Sequence, residues 1–457
     1  MKQYKLSEDY VLRADPHLEK YALFNYKTGK IVHLAEYDNL LLNILSNGPV
    51  NISDLAKFIC KEYPEFSATP EYVGEIIGFF VKKGIVTPLH GKSTQNNLNK
   101  IILPEPGVSS SGFQTKTSTF SFPLEVDLFL TRQCNMRCVH CSVDAGESFN
   151  GELSLEYWKY IFDQLENSRL IKVIITGGEP TLFPAFPELI DYIKNKKIYK
   201  CLLTNGISLT ESTVCLLKKA DIVLGISIDG ADDKTHDSFR RTAGAFKKVM
   251  GSFDKLNRYS VRFDILSVIH QKNFHQIEGL FQIARKYQAI GLILNVIESV
   301  GRGKKAKKWM LSHDEMDHAR REFYRLQPLF PEIHSAFKEP HQYLGKDRDD
   351  NSNVEKDECI FCRGGNSYMA VDTDGTVYPC PYGVFIGKMP IGNSRQQSLS
   401  EIWNSENWDM FRGGTTIDQL KTCSICPENN RCELKNCRMR SMVQGDPYAR
   451  PYNCPLT

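Results

Sequence analysis

The sequence predicts an α/β protein built around a partial barrel of six strand–helix units, with a small α+β domain before it and a cysteine-rich extension after it. Three observations carry this. Strand-like runs recur near 125–130 (EVDLFL), 171–176 (IKVIIT), 199–204, 221–228 (DIVLGISI), 261–269 and 290–297. Helical patterns alternate with them near 154–167, 185–196, 210–219, 243–257 and 274–287, which implies parallel strands joined by right-handed crossovers. Residues of unusual chemistry gather at the strand ends. A loop with Cys134, Cys138 and Cys141 follows the first strand, Gly177-Gly178-Glu179-Pro180 the second and Thr204-Asn205-Gly206 the third, while Ser227-Ile228-Asp229-Gly230 ends the fourth. All four lie at carboxyl ends, where β/α barrels build active sites.

A chain of 457 residues exceeds one ordinary domain. The expected division is a domain at 1–90, a Ser/Thr/Asn/Gly/Pro-rich linker at 91–123, the barrel at 124–310 and the extension at 311–457. The net charge of +3 argues against bulk nucleic-acid binding. No run of eighteen apolar residues exists, and the N-terminus MKQYKLSEDYVLRADPHLEKY lacks a signal-peptide core, so a cytoplasmic protein without a membrane partner is expected.

The first domain opens with YALFNYKTGKIVHL, two alternating runs around Thr28-Gly29-Lys30 that predict a hairpin. Helical patterns follow near 36–47, 52–63 and 70–84, closed by KKGIVTPL, in a winged-helix-like arrangement. Their balanced charge disfavours a DNA-binding wing.

Fourteen cysteines in a reducing compartment read as metal ligands before disulfides. Cys60, Cys201 and Cys215 stand alone and are expected to be small buried hydrophobes. The C-x3-C-x2-C loop offers three thiolates and no near fourth. A 4Fe-4S cluster fits, with one iron left open; a zinc site completed by His140 or a distant Cys also satisfies the spacing. Gly177 and Gly178 allow backbone to approach a ligand closely, and Glu179 can pair with an ammonium group. Ser227 and Asp229 can present a hydroxyl and a carboxylate to ribose-type hydroxyls if the strand ends there. Beyond the barrel, Cys359, Cys362, Cys380, Cys423, Cys426, Cys432, Cys437 and Cys454 suffice for two four-ligand sites, of iron-sulfur or zinc type. Gly375, in DTDGTVYPC, predicts a hairpin turn that aims Cys380 back at a metal.

C-x3-C-x2-C followed by GGEP resembles the radical S-adenosylmethionine (SAM) superfamily over residues from about 122 to 300. The resemblance implies that Cys134, Cys138 and Cys141 hold a 4Fe-4S cluster whose open iron is chelated by the amino and carboxylate groups of SAM. It assigns the methionine amino group to Gly177, Gly178, Glu179 and Pro180, with Asn205 at the next strand end. Ser227 and Asp229 then serve the ribose and carboxylate region, Arg240 (beside Arg241) the carboxylate, and His140 lies near the adenine. The chemistry implied is cleavage of SAM to a 5′-deoxyadenosyl radical that abstracts hydrogen from substrate.

The C-terminal spacing resembles the SPASM extension of peptide-modifying radical SAM enzymes. That implies auxiliary cluster I on Cys359, Cys362, Cys380 and Cys437 and auxiliary cluster II on Cys423, Cys426, Cys432 and Cys454, three 4Fe-4S clusters in all. The gap before Cys437 is x4 where the family usually has x3. The first domain is similar to leader-peptide recognition domains, including the small chaperone of pyrroloquinoline quinone synthesis, which take up an extended peptide at a sheet edge. Together these resemble maturases of ribosomally made peptides; HDSFRR..GAF and SVGRGK resemble subtilosin-type maturases, which form thioethers of the sactipeptide or ranthipeptide kind. The implied partners are a precursor peptide with a leader and an electron donor such as flavodoxin or ferredoxin. Carbon–carbon coupling, epimerisation and sulfatase-maturating chemistry are the alternatives. No catalytic acid or base is assigned, and Lys304–Lys308 reads as a solvated basic loop.

Overall fold

The computed structural model describes residues 2–15, 20–25, 30–33, 36–46, 48–62, 68–89, 119–338, 359–429, 432–454 and 456. It divides into two compact units, Met1–Ser121 and Phe122–Thr457.

In the first unit, β1 (Gln3–Leu6) lies between β5 (Val50–Asn51) and β6 (Val86–Leu89), while β2 (Tyr10–Asp15), β3 (Lys20–Asn25) and β4 (Lys30–His33) form a second antiparallel sheet. The expected hairpin is the β3–β4 pair, with Asn25 opposite Lys30; Thr28 and Gly29 at its turn lie outside the described residues, as do 91–118 of the expected linker. Among the described residues the unit also has three helices, α1 (Glu36–Ser46), α2 (Ile52–Glu62) and α3 (Pro70–Lys82). Thr69 caps α3 through its hydroxyl, which accepts from Tyr72 N, and Pro70 sits at the first helical position, where no N–H is needed. Val73, Ile77 and Phe80, spaced on one face of α3, are buried with Leu41, Leu45, Leu55 and Ile59.

The second unit is organised by one long sheet. The six expected strands are β7 (Glu125–Phe129), β8 (Lys172–Thr176), β9 (Tyr199–Thr204), β10 (Ile222–Ser227), β11 (Phe263–Ile269) and β12 (Gly291–Val296), each hydrogen-bonded in parallel to the next. The helices between them are α4 (Leu155–Asn167), α5 (Phe186–Ile193), α6 (Glu211–Lys219), α7 (Asp233–Arg240), α8 (Ala245–Arg258) and α9 (Ile277–Lys286). After α10 (His313–Leu326), β13 (His334–Lys338) adds to β12, so parallel pairing runs on beyond residue 310. In the cysteine-rich region, β14 (Cys359–Phe361) pairs with β18 (Arg412–Thr416). The hairpin β15 (Tyr368–Val371) and β16 (Thr376–Tyr378), turning at Gly375 with φ +89°, extends the main sheet through β17 (Gly392–Asn393). β15 joins the other edge of the barrel by pairing in parallel with β7.

Strand alternation separates two faces. Val126, Leu128, Val173, Ile175, Leu202, Leu224, Ile226, Ile265 and Leu292 are buried against the helices. The alternate residues face the lumen, where Asp127, Phe129, Thr176, Leu203, Ser227 and Leu266 line a cavity. A packed barrel fills its interior with branched apolar side chains; this one keeps polar groups and space. The lone cysteines depart from expectation. Cys60 is exposed, and Cys201 and Cys215 are partly exposed. Cys201 falls on the lumen side of β9, and Cys60 and Cys215 lie at positions on α2 and α6 that the core does not cover. Lys304, Lys305, Lys307 and Lys308 are exposed around buried Ala306.

Candidate active site

The loop after β7 is braced internally and from three sides, after β8, after β9 and after β12. Cys134 N donates to Gly146 O (2.8 Å), Gly146 N to Arg132 O (2.9 Å), and Arg137 Nη1 to Ala145 O (2.9 Å). From the β8 side, Gly178 N donates to Thr131 O (2.7 Å) and Glu179 N to Gln133 O (2.8 Å). Gly177 has φ +137°, and a Cβ there would stand 2.5 Å from Thr131 O; one at Gly178 would collide with Gln133 O. The two glycines therefore let one loop lie on another, a use that spacing alone does not reveal. From beyond β12, Arg302 N donates to Cys141 O (3.0 Å), its Nε to Cys138 O (2.8 Å), and its Nη1 to Asp144 Oδ1 (2.7 Å) and Ala145 O (2.8 Å).

Glu179 is fully buried. Its carboxylate accepts from Thr181 N (3.2 Å), Thr181 Oγ1 (2.7 Å), Thr204 Oγ1 (2.8 Å) and Asn205 N (2.8 Å), tying the ends of β8 and β9 together. Burial pushes its pKa up against these donors. The Asn205 side chain donates to Asn135 Oδ1 (2.8 Å) in the cysteine loop.

Asp229 lies two residues past Ser227, the last residue of β10, and is buried. Its Oδ1 accepts from Val268 N (2.8 Å), and its Oδ2 is 2.6 Å from Arg240 Nε. Burial pushes this carboxyl up, but the Arg240 guanidinium, His140, His236 and the Val268 N–H together outweigh burial and hold it at about 2. Arg240 Nη1 reaches to 3.7 Å from Cys138 Sγ, so the ion pair presents a cation to the middle cysteine. His140 stacks on Phe239 at 4.5 Å between centroids and 7° between planes. Burial lowers its pKa to about 3, which keeps it neutral, and its buried Nδ1 has no hydrogen-bond partner.

The three cysteines, Gly177, Gly178, Asn205, Ser227, Arg240 and His140 line one cavity of about 410 Å³. Glu179, Pro180 and Asp229 stand behind its wall. Three thiols, a buried ring nitrogen without a partner and a guanidinium facing one space fit a thiolate-ligated cluster with an organic ligand beside it. Among the described residues no three His, Cys, Asp or Glu side chains form a group able to hold a single metal ion; cluster ligands sit on separate irons and are spread accordingly. His140, Ser142, Pro381 and Phe385 also line a second cavity of about 420 Å³, with Glu298, Tyr382 and Arg440. There Glu298 is 3.1 Å from Arg440 and accepts from Tyr452 Oη.

The C-terminal cysteines form two sets. Cys362, Cys380 and Cys437 pack on the main core; burial raises all three thiols, and the neighbouring Cys437 thiol raises Cys362 and Cys380 further. Cys359 stands three residues upstream on β14, opposite Thr416. Burial pushes Cys423 to about 11, and Cys432, Cys454 and Cys426 push it the same way. The fully buried Arg438 lies within electrostatic reach of Cys423, Cys437 and Cys362, a cation between the sets. Sequence reasoning missed Arg302, Glu298 and Arg438. Only Arg302 carried a signal, as the basic residue of Gly301-Arg302-Gly303 just past a barrel strand.

A three-cysteine loop braced over the carboxyl ends of parallel strands is an arrangement with known counterparts. Residues 128–284 match the Radical SAM superfamily and residues 362–427 match SPASM, an iron-sulfur cluster-binding domain. They imply a 4Fe-4S cluster and SAM binding. The chain is 29% identical over 333 residues to the AdoMet-dependent heme synthase of Methanosarcina barkeri, which covers 70% of this chain and 92% of the relative. It is 27% identical over 294 residues to the antilisterial bacteriocin subtilosin biosynthesis protein AlbA of Bacillus subtilis, covering 63% of this chain and 61% of AlbA. In fold it is similar to Streptococcus suis SuiB bound to precursor peptide SuiA, with a TM-score of 0.70 at 18% identity over 99% of this chain and 100% of that one. Among the described residues no helix is long and apolar enough to cross a membrane.

Proposed function

We propose that this chain is a radical SAM maturase of a ribosomally synthesised peptide, and that it links cysteine sulfur to a residue carbon. The observation that carries the reading is the small α+β unit ahead of a radical SAM–SPASM pair. The SuiB likeness, which spans 99% of the chain, and the relationship to AlbA support it. Cys134, Cys138 and Cys141 hold the SAM-binding cluster, with Gly177, Gly178, Asn205, Ser227, Arg240 and His140 around SAM and Glu179, Pro180 and Asp229 bracing them. Cys359, Cys362, Cys380 and Cys437, and Cys423, Cys426, Cys432 and Cys454, hold two auxiliary 4Fe-4S clusters. Bound SAM supplies hydrogen-atom abstraction, and the protein supplies placement and a water-poor lumen. A leader docks by adding a strand to an outer strand of the first unit, residues 1–90, which raises the effective concentration of the core peptide at the barrel. Residues 91–123 act as linker, 124–310 as barrel and 311–457 as SPASM region. A flavodoxin or ferredoxin of the cytoplasm supplies electrons.

The test is mass spectrometry of the precursor encoded beside this chain, after anaerobic reaction with reconstituted enzyme, SAM and dithionite. A loss of two hydrogens per linked cysteine, with no thiol left to alkylate, is expected. Free thiols on a modified peptide would leave only carbon–carbon coupling, epimerisation or related chemistry. The 29% identity to a heme synthase favours a second reading, tetrapyrrole modification, which predicts an unchanged peptide and a modified iron porphyrin in the same assay. Removing residues 1–90 is expected to preserve SAM cleavage and to slow peptide turnover by roughly 100-fold.

A further inference from the structure

Asp127 breaks the pattern of its strand. β7 is buried along its whole length, and the lumen face of a buried parallel strand ordinarily carries apolar side chains. Charge inside such a strand costs several kcal/mol unless it is matched. Among the described residues, the other buried carboxylates of this unit are matched. Glu125 meets Lys172 at 3.0 Å and also Arg363; Asp372 takes both oxygens to Arg132; Asp229 meets Arg240; Glu179 has four donors. Tyr368 lies near enough to Asp127 to lower its pKa, yet the buried Oδ1 of Asp127 has no hydrogen-bond partner. It is 5% exposed, and its side chain lines the same cavity as the three cysteines and Arg240.

We infer that Asp127 is the proton-accepting residue of the barrel lumen, binding through its free oxygen a hydrogen-bond donor of the peptide residue under modification, a cysteine S–H in the thioether reading. This deepens the proposed function and rests on it. The step moves one proton from sulfur to Asp127 Oδ1, leaving a thiolate and a neutral carboxylic acid; no electron moves in it. Tyr368, on the SPASM strand β15, lies within electrostatic reach of both this carboxylate and the Cys380 thiol, so the acceptor stands between the SAM cavity and the first auxiliary cysteine set. The titratable and charged groups around it are Glu125 on β7, Lys172 on β8, Cys201 on β9, Lys338 on β13, and Arg363 and Tyr368 at β15, with Asp264 on β11 completing the ring. Burial, then the charge of Glu125, raises the Asp127 pKa to about 7, against the pull of Tyr368, Lys172 and Arg363. An acceptor must be unprotonated, so turnover should rise as pH rises through about 7.

The test compares wild type, Asp127→Asn and Asp127→Glu as reconstituted holoenzymes of equal iron content and unchanged EPR signal, which controls for folding. On the precursor peptide, Asp127→Asn is expected to be slower by roughly 100-fold or more, with the rise through neutral pH gone. Asp127→Glu should recover part of the rate, with the rise displaced. Equal rates or superimposable pH profiles for wild type and Asp127→Asn overturn the inference. Infrared difference spectra between pH 6 and pH 8 supply the readout without peptide. A protonated-carboxyl band in wild type that is absent from Asp127→Asn supports it, and no such band overturns it. If wild type leaves the peptide unchanged, the maturase reading fails, and the infrared band still decides whether the lumen carries a titrating acceptor.

Discussion

The two cysteine-bearing regions are built differently. The loop of Cys134, Cys138 and Cys141 is clamped by backbone from beyond β8, by the Asn205 side chain after β9 and by Arg302 after β12, segments that follow strands of a parallel sheet. Among the described residues, the segment holding Cys423, Cys426, Cys432, Cys437 and Cys454 has only short 3-10 turns and one five-residue helix, Arg438–Met442. The first is a site that the fold prepares before any metal arrives. The second has so little regular hydrogen bonding among its described residues that, under the proposed cluster assignment, metal binding is expected to supply much of its folding free energy.

The largest effect expected from this contrast is chemical and leaves the fold intact. Replacing Cys134, Cys138 and Cys141 with Ala should abolish SAM cleavage and remove about four of roughly twelve irons per chain. The protease-resistant fragments of the variant should match those of wild type. Unchanged SAM cleavage, or zinc where iron was expected, would overturn the assignment.

Next in size is the opposite outcome in the other region. Replacing Cys423 and Cys426 with Ala should remove a further four or so irons. It should also open the chain to proteolysis between residues 412 and 454 while the barrel survives. Protection of that segment in the variant would show that it folds without its metal.

Most of the barrel was legible because its strands alternate with amphipathic helices, and strand ends announced themselves through Cys, Gly, Asn and Ser. α7 was not legible: DKTHDSFR carries one large apolar residue, Phe239, and its buried face is made of Thr235, His236 and Arg240. Nor was the union of β15 with β7, because a pairing between residues more than 200 apart leaves no local trace. The candidate site residues were legible by type, but the contacts they make within the protein were not. Nothing in GGEP says that its glycines serve the cysteine loop, or that Glu179 spends its oxygens on Thr181, Thr204 and Asn205. Those uses exist only once two strand ends lie side by side.

The smallest effect concerns the clamp itself. Arg302 holds the back of the cysteine loop with its guanidinium fork, making three side-chain hydrogen bonds, to Cys138 O, Asp144 Oδ1 and Ala145 O. Arg302→Lys keeps the charge but cannot span all three acceptors, so a stability loss of about 1–3 kcal/mol is expected, confined to this loop. Cluster loss from the loop under a chelator should become several-fold faster, because the cysteines open more often, while iron in the C-terminal sets is released at the wild-type rate. A uniform acceleration across all the iron would place Arg302 in the general stability of the unit and dissolve the distinction between a prepared loop and a metal-dependent one.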